Sequence, residues 1–353
     1  MRSILPPAGD RGNRDADSGG CLPAFSRLAF MDGSQKGKGK ALRYLLPCVI
    51  AALLAACGGT TSFGHAGWER DYVLHVPEDI GEGAPLVVAL HGGGGRARGF
   101  ARYTGLRELA DEMGFVVVFP QGLERRWHDS YHLEEHPEMA GVDDQGFIIA
   151  LTEMISAEYG TRGVYVTGMS NGGMFLQELL IANAESFDGG ASVVAQIRHG
   201  LQGEPSRPLP LLFMNGTEDP LVPYGGGYVT LPWGSTRGRV LSTDECVELW
   251  VSWNALSAGP EVDTLPDADP NDGAIAVRLA YGPEDDTPVV LYRIEGGGHT
   301  LPGGRQYLPT RTVGHTCRDF DGARAIAEFF MELSEMDGEP EEDTGRRAGG
   351  VRR

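Results

Sequence analysis

The chain has 353 residues, with 49 acidic and 30 basic side chains and a formal net charge of −19. That length holds one large α/β domain or two small ones. The acidic excess repels phosphate backbones and anionic headgroups, which argues against a nucleic-acid-binding protein.

Residues 1–56 carry no fold pattern. Leu45 to Ala56 is an apolar run preceded by Lys36, Lys38, Lys40 and Arg43. It is too short to span a bilayer but suits the core of a signal peptide. Leu54-Ala55-Ala56-Cys57 resembles a bacterial lipobox, which implies lipidation of Cys57, a mature N-terminus there and an envelope location. Every lysine of the chain lies in this segment, and Met31 would start a signal of ordinary length. Removing 1–56 takes eight basic and four acidic side chains, leaving 22 against 45, a net of −23. Of the five cysteines, Cys246 and Cys317 remain beside the lipidated Cys57. In an oxidising compartment those two form a candidate disulfide, although sequence spacing sets no geometry.

After a tether at 57–67, the pattern of a catalytic domain runs over 68–334. Arg70 to Pro77 alternates as an edge strand, with Tyr72, Leu74 and Val76 on one face. Pro85 to Leu90 is a continuous apolar strand of the kind buried on both faces. A helix is expected over Tyr103 to Met113, then a buried strand over Phe115 to Phe119 and a helix over Val142 to Tyr159. Strand Val164 to Thr167 leads through Gly168-Met169-Ser170-Asn171-Gly172 into an apolar helix, Met174 to Ala182. Next come strand Leu209 to Met214, helix Asp244 to Leu256, strands Ile275 to Tyr281 and Val289 to Ile294, and an amphipathic helix over Gly322 to Leu333. Strands alternating with helices imply a mostly parallel, doubly wound sheet. Pro220 to Arg239, rich in glycine and aromatics, is too long for a plain connection and reads as a loop or small lid. The segment 335–353 is charged and glycine-rich, the composition of a disordered tail.

A G-x-S-x-G pentapeptide alone is a weak signal. Between a strand and a helix it is a nucleophile elbow, which makes Ser170 the candidate nucleophile. A serine hydroxyl needs a histidine base oriented by a carboxylate, in the chain order Ser, acid, His. Asn215-Gly216-Thr217-Glu218-Asp219 follows a strand's carboxyl end, so Asp219 is the candidate acid and Glu218 the fallback. Glu295-Gly296-Gly297-Gly298-His299 follows the last strand, and its glycines let His299 swing over the serine. His315 has no strand before it and is the weaker candidate. The oxyanion hole takes the amide of Asn171 and one from His91-Gly92-Gly93-Gly94-Gly95, with Gly93 preferred over Gly94 and His91 bracing the loop. That glycine run lacks the lysine and spacing of a phosphate cradle. Trp127, His128, His132 and His136, with Glu134, Glu135 and Asp143 nearby, have irregular spacings, so a polar loop rimming the pocket is favoured over a metal site. No metal and no cofactor are implied.

The strings PLVVALHGGGG, GFVVVFPQG, DDQGF, VYVTGMSNGGM, NGTEDPLVPYGGG and GGGHTLPGG resemble the polyhydroxybutyrate depolymerase and feruloyl esterase group, a carbohydrate esterase family 1-like set that includes acetylxylan esterases. The resemblance runs from about Trp68 to Leu333. It implies an α/β-hydrolase fold, secretion, Ser170 as nucleophile, Asp219 as acid and His299 as base. It also places Asp143 and Asp144 at the start of a helix, where carboxylates suit the helix dipole. Members often carry tryptophan after His-Thr where this chain has Leu301, a change expected in an aromatic wall of the pocket. No polymer-binding domain is visible, which favours small or oligomeric esters over solid polymer. The expectation is a lipid-anchored serine esterase. The alternatives are a serine peptidase on the same fold and an inactive surface-binding lipoprotein.

Overall fold

The computed structural model describes residues 61–128, 139, 141–283 and 287–336. Cys57 and the signal-like segment lie outside the described residues, as does most of the tail. Ten strands form one sheet: β1 (Thr61–His65), β2 (Trp68–His75), β3 (Leu86–Leu90), β4 (Val116–Pro120), β5 (Val164–Met169), β6 (Gly189–Val193), β7 (Leu211–Gly216), β10 (Glu261–Thr264), β11 (Ile275–Tyr281) and β12 (Val289–Glu295). Their spatial order is β1-β2-β4-β3-β5-β6-β7-β12-β11-β10. The six from β4 to β12 run parallel, and antiparallel strands finish each edge.

Alternation along the strands builds two cores. Leu86, Val88, Leu90, Val116 and Val118 face α3 (Asp144–Tyr159), α4 (Asn171–Ala182) and α5 (Thr243–Trp253). Val87, Ala89, Val117 and Phe119 face α1 (Ala97–Thr104), α2 (Leu106–Met113) and α6 (Gly322–Met336). Burial on both faces explains the unbroken apolar runs of β3 and β4. With helices on both faces and a serine at the β5–α4 turn, the chain has the α/β-hydrolase fold.

Several expectations change. The segment taken as tether up to Gly67 is structured from Thr61, so β1 is the sheet edge and β2 lies inside it. His65 on β1 bonds Asp143 at 2.9 Å and ties that edge to α3. The single helix expected after β3 is two, α1 and α2, separated by Gly105 at φ 67°. Strand β6 escaped the sequence reading because Gly189 and Gly190 open it. A Cβ at Gly190 would lie 2.6 Å from Leu180 and 2.8 Å from Leu211, so close packing of α4 and β7 demands glycine there. Pro220 to Arg239 folds into a hairpin, β8 (Gly227–Thr230) and β9 (Thr236–Val240), beside the main sheet.

The candidate disulfide does not form. Cys246 and Cys317 are both free and buried, in different clusters. Cys246 packs on α5, with its sulfur 3.2 Å from the Ile197 amide, while Cys317 sits beside Asp319 and Asp272. Burial pushes each thiol up to about 12.

Candidate active site

The carboxyl ends of parallel strands β3, β5, β7 and β12 share one edge, and all the candidate groups come from the turns that follow them. At the β5–α4 turn, Ser170 adopts φ 56° and ψ −122°, a conformation that L residues rarely hold. Neighbouring structure enforces it. The Ser170 amide donates to Val193 O at 2.9 Å, and Ser170 O accepts from Met174 N at 2.9 Å. A Cβ on Gly168 would strike the Gly172 carbonyl, and one on Gly172 would lie 2.5 Å from Leu90 O and 2.7 Å from His91 O. The two glycines of the pentapeptide are therefore required by backbone contact, one within the elbow and one against β3.

Asp219 and His299 meet as the sequence order suggests. His299 Nδ1 donates to Asp219 Oδ2 at 2.6 Å, and both residues are buried. Asp219 Oδ1 accepts from the amides of Leu221 and Val222 at 2.8 and 2.9 Å, so the carboxylate is fixed by its own turn. Glu218, the fallback acid, is exposed on that turn. The His299 loop is pinned rather than free to swing. Gly298 N donates to His315 O at 2.8 Å, His299 N to Val313 O at 2.5 Å, and Tyr307 Oη to His299 O at 3.0 Å. A Cβ on Gly298 would collide with Val313 O and Gly314, so the glycines serve close packing of two chain segments. His315, the rival base, presents an exposed side chain, and its carbonyl supports the loop by accepting from Gly298 N and Thr300 Oγ1.

Ser170, Asn171, His299 and Gly92 to Gly95 line one cleft of about 540 Å³. The Gly94 amide donates to Arg125 O at 2.7 Å, so of the two candidate oxyanion donors Gly94 is already engaged and Gly93 stays the candidate. A Cβ on Gly93 would lie 3.5 Å from that of Asn171, so the two residues adjoin. His91 braces this loop. Its Nε2 accepts from the Gly122 amide at 3.1 Å, so Nδ1 carries the proton and donates to Gly92 O at 2.9 Å. Burial lowers the His91 pKa, consistent with a neutral ring. Gln121, singled out by no sequence signal beyond its place in the FPQG string, links His91 Nε2 to the Ala97 amide.

The histidine-rich segment does not rim the pocket where it is described. Trp127 is buried, stacks on Phe175 at 5.4 Å and donates from Nε1 to His91 O. The Asn171 side chain accepts from Trp127 N at 2.8 Å and donates to Trp127 O at 3.1 Å. His128 bonds Asp144 Oδ2 through its amide and ring, and Arg70 donates to Asp144 Oδ1 at 2.5 Å. Asp144 is thus a buried anchor in the first turn of α3, while Asp143 caps that helix through Gly146 N. His132, His136, Glu134 and Glu135 lie outside the described residues. Elsewhere, Asp272, Cys317 and Asp319 bring metal-type ligand atoms within 4.8 Å of one another. The carboxylate oxygens of the two aspartates accept from the amides of Ala274, Arg318, Ala268 and Ala276, which accounts for them as loop caps.

Leu301 is not in the cleft wall. It is 4% exposed, in the core under α6, and its amide meets Tyr103 Oη at 3.2 Å. The aromatic wall comes instead from Trp233 at the hairpin tip and from Tyr103 and Tyr307, in edge contact at 5.8 Å. The hairpin was legible as a lid-like segment, but nothing in the pattern marked Trp233 or Arg237 individually.

A hydroxyl on a strained turn, an imidazole backed by a carboxylate, and backbone amides beside them are what acyl transfer to serine requires.

Residues 70–197 match the family described as Esterase PHB depolymerase. The putative esterase NocK of Nocardia uniformis subsp. tsuyamanensis is 30% identical over 280 residues, covering 75% of this chain and 80% of that protein. Feruloyl esterase B of Neurospora crassa is 30% identical over 159 residues, 42% of this chain and 53% of that one, so the chain spans about half of that relative. A solved acetyl xylan esterase from Aspergillus awamori superposes with a TM-score of 0.47 at 16% identity, covering 69% of this chain and 95% of that chain.

Proposed function

The chain belongs to the PHB depolymerase family of esterases, and from that premise we propose a serine carboxylic-ester hydrolase with Ser170, His299 and Asp219 as its triad. The observation that carries the reading is the His299–Asp219 hydrogen bond of 2.6 Å beside a strained Ser170 in one cleft.

His299 Nε2 removes the Ser170 proton as Oγ attacks the ester carbonyl. The tetrahedral oxyanion is held by the amides of Asn171 and Gly93. As the intermediate collapses, His299 returns the proton to the leaving alkoxide, and an acyl-serine remains. Water, deprotonated by the same imidazole, then releases the carboxylate and restores Ser170. Asp219 holds Nδ1 as the donor, which keeps Nε2 available as the base.

Hydroxyalkanoate oligomers and feruloyl or acetyl sugar esters are the proposed substrates, in keeping with the names of the relatives. The lipobox-like Leu54-Ala55-Ala56-Cys57 supports an envelope location through a lipid on Cys57. No helix among the described residues is long and apolar enough to cross a membrane.

The test is fluorophosphonate labelling of wild type and Ser170→Ala, followed by turnover of the three ester classes. Labelling confined to Ser170, with hydrolysis of at least one class, is expected. Equal labelling of the alanine variant would move the nucleophile elsewhere.

A further inference from the structure

We propose that Tyr307 is a positioning residue for the base: its phenol sets where His299 stands, and Tyr103 joins that phenol to the helix that opens at the oxyanion loop. This rests on the serine esterase reading above. Three glycines lead into His299, so the chain before it has little stiffness of its own. Ser170, by contrast, is held in one backbone conformation by its elbow. Any error in the approach of the two side chains therefore falls on the histidine, and a misplacement of about 1 Å costs on the order of 100-fold in rate. The His299 amide is held by backbone, Val313 O at 2.5 Å, whereas its carbonyl is held by a side chain, Tyr307 Oη at 3.0 Å. Two residues on, the Leu301 amide donates to Tyr103 Oη at 3.2 Å. The peptide planes on both sides of the His299 Cα are thus fixed, and the second depends on a phenol in the cleft wall.

The two tyrosines are themselves held in place. Gln306, next to Tyr307, donates to Gly314 O at 3.1 Å and accepts from Thr316 Oγ1 at 2.9 Å, in the same segment whose Val313 carbonyl takes the His299 amide. Tyr103 lies in the last turn of α1, which begins just after the His91–Gly95 loop, and its ring meets Tyr307 edge-on at 5.8 Å. The oxyanion loop and the base loop therefore share one aromatic clasp. Both rings also line the cleft, with Tyr307 41% exposed. Burial raises the Tyr307 pKa, and Tyr103 and Asp219 add to the rise, so the phenol stays protonated and keeps donating at neutral and mildly alkaline pH. Ring and hydroxyl then have separate duties: the ring shapes the wall, and the hydroxyl holds the base.

The test separates those duties with p-nitrophenyl butyrate and a fluorophosphonate. Tyr307→Phe keeps the ring, so KM should stay within about twofold while kcat and the labelling rate each fall by about tenfold or more. Tyr103→Phe should lower kcat by a smaller factor, about threefold. Tyr228→Phe, on the hairpin but outside the cleft lining, should match wild type. A second readout needs no substrate. The Nδ1 proton of His299, in a 2.6 Å bond to a carboxylate, resonates far downfield of the amides, and its loss in His299→Ala assigns it. In Tyr307→Phe that signal should shift or broaden, with the far-UV circular dichroism unchanged. A wild-type kcat in Tyr307→Phe, or a rise in KM alone, overturns the proposal and leaves the esterase reading intact. If the wild-type protein hydrolyses no ester and takes no label, the esterase reading falls and the proton resonance decides the placement by itself. A changed signal in Tyr307→Phe then upholds it, and an unchanged one refutes it. A wild-type spectrum without the resonance refutes it too, because the His299–Asp219 bond is its premise.

Discussion

Asp219 and His299, 80 residues apart in sequence, are joined by a 2.6 Å hydrogen bond in the interior, and two backbone amides hold the far side of the carboxylate. The pair is over-determined: the turn after β7 fixes the acid, and the 313–315 segment fixes the histidine loop. In the proposed mechanism Asp219 sets the tautomer of His299. Asp219→Asn should therefore lower kcat by about 10³ to 10⁴ with little change in thermal stability. A loss under tenfold would remove Asp219 from the triad.

The rival histidines separate in the same assay. His299→Ala should be nearly inactive, whereas His315→Ala should keep most of its activity, because the bonds that His315 makes to the histidine loop among the described residues use its carbonyl, which any residue supplies. The opposite ranking would sink the base assignment.

Gly172 sits where the elbow touches the end of β3. A methyl there would lie 2.5 Å from Leu90 O, so Gly172→Ala must push the elbow and the oxyanion loop apart. Overpacking of this kind costs about 1–3 kcal/mol. We expect a lowered Tm and slower fluorophosphonate labelling; wild-type values of both would contradict the close approach.

Leu301→Trp tests the reassigned aromatic wall. Leu301 borders a void of only about 10 Å³ under α6, far too small for an indole. The substitution should destabilise the fold by about 1–3 kcal/mol and bring no gain in kcat/KM. A gain for feruloyl esters would return Leu301 to the pocket.

Asp144 predicts the acid limb of stability. Burial by itself would raise its pKa, but hydrogen bonds from His128 and the charge of Arg70 outweigh it and hold the carboxyl below the usual range. A lowered folded pKa contributes stability that is complete above the unfolded value of about 3.9 and is lost as pH falls through the folded one. Denaturant unfolding between neutral pH and about 3 should show that loss. Asp144→Asn should flatten it, at a cost of about 3–5 kcal/mol at neutral pH from the stranded Arg70. An unchanged acid slope in the variant would discard this linkage.

Cys246 and Cys317 should behave as inert thiols. Reductant should leave Tm unchanged, and alkylation of both peptides should need denaturant, because both sulfurs are buried from the reagent and burial pushes their thiols further from the reactive thiolate. A disulfide-linked peptide pair in the mass spectrum would contradict the free state.

Local chemistry written into the chain made much of this legible. An apolar run between turns is a buried strand wherever it occurs, so β3, β4, β5 and β7 were readable within two or three residues. Ser170, Asp219 and His299 were legible as candidates because each follows such a strand on a short turn, and the structure gathers them at one end of the sheet. What escaped depends on partners distant in sequence. Strand β6 is hidden by Gly190, whose missing side chain makes sense only against Leu180 and Leu211. Gly94 and Gly93 look alike until the Arg125 carbonyl claims one amide. Leu301 and Trp233 exchange roles because α6 buries the first and the hairpin lifts the second to the cleft. The five arginines that line the cleft, Arg96, Arg126, Arg198, Arg237 and Arg305, are scattered over 210 residues, and only the folding of four separate turns and a hairpin brings them to it. Sequence determined which groups could react; burial and long-range packing decided which of them face the cleft and what surrounds them there.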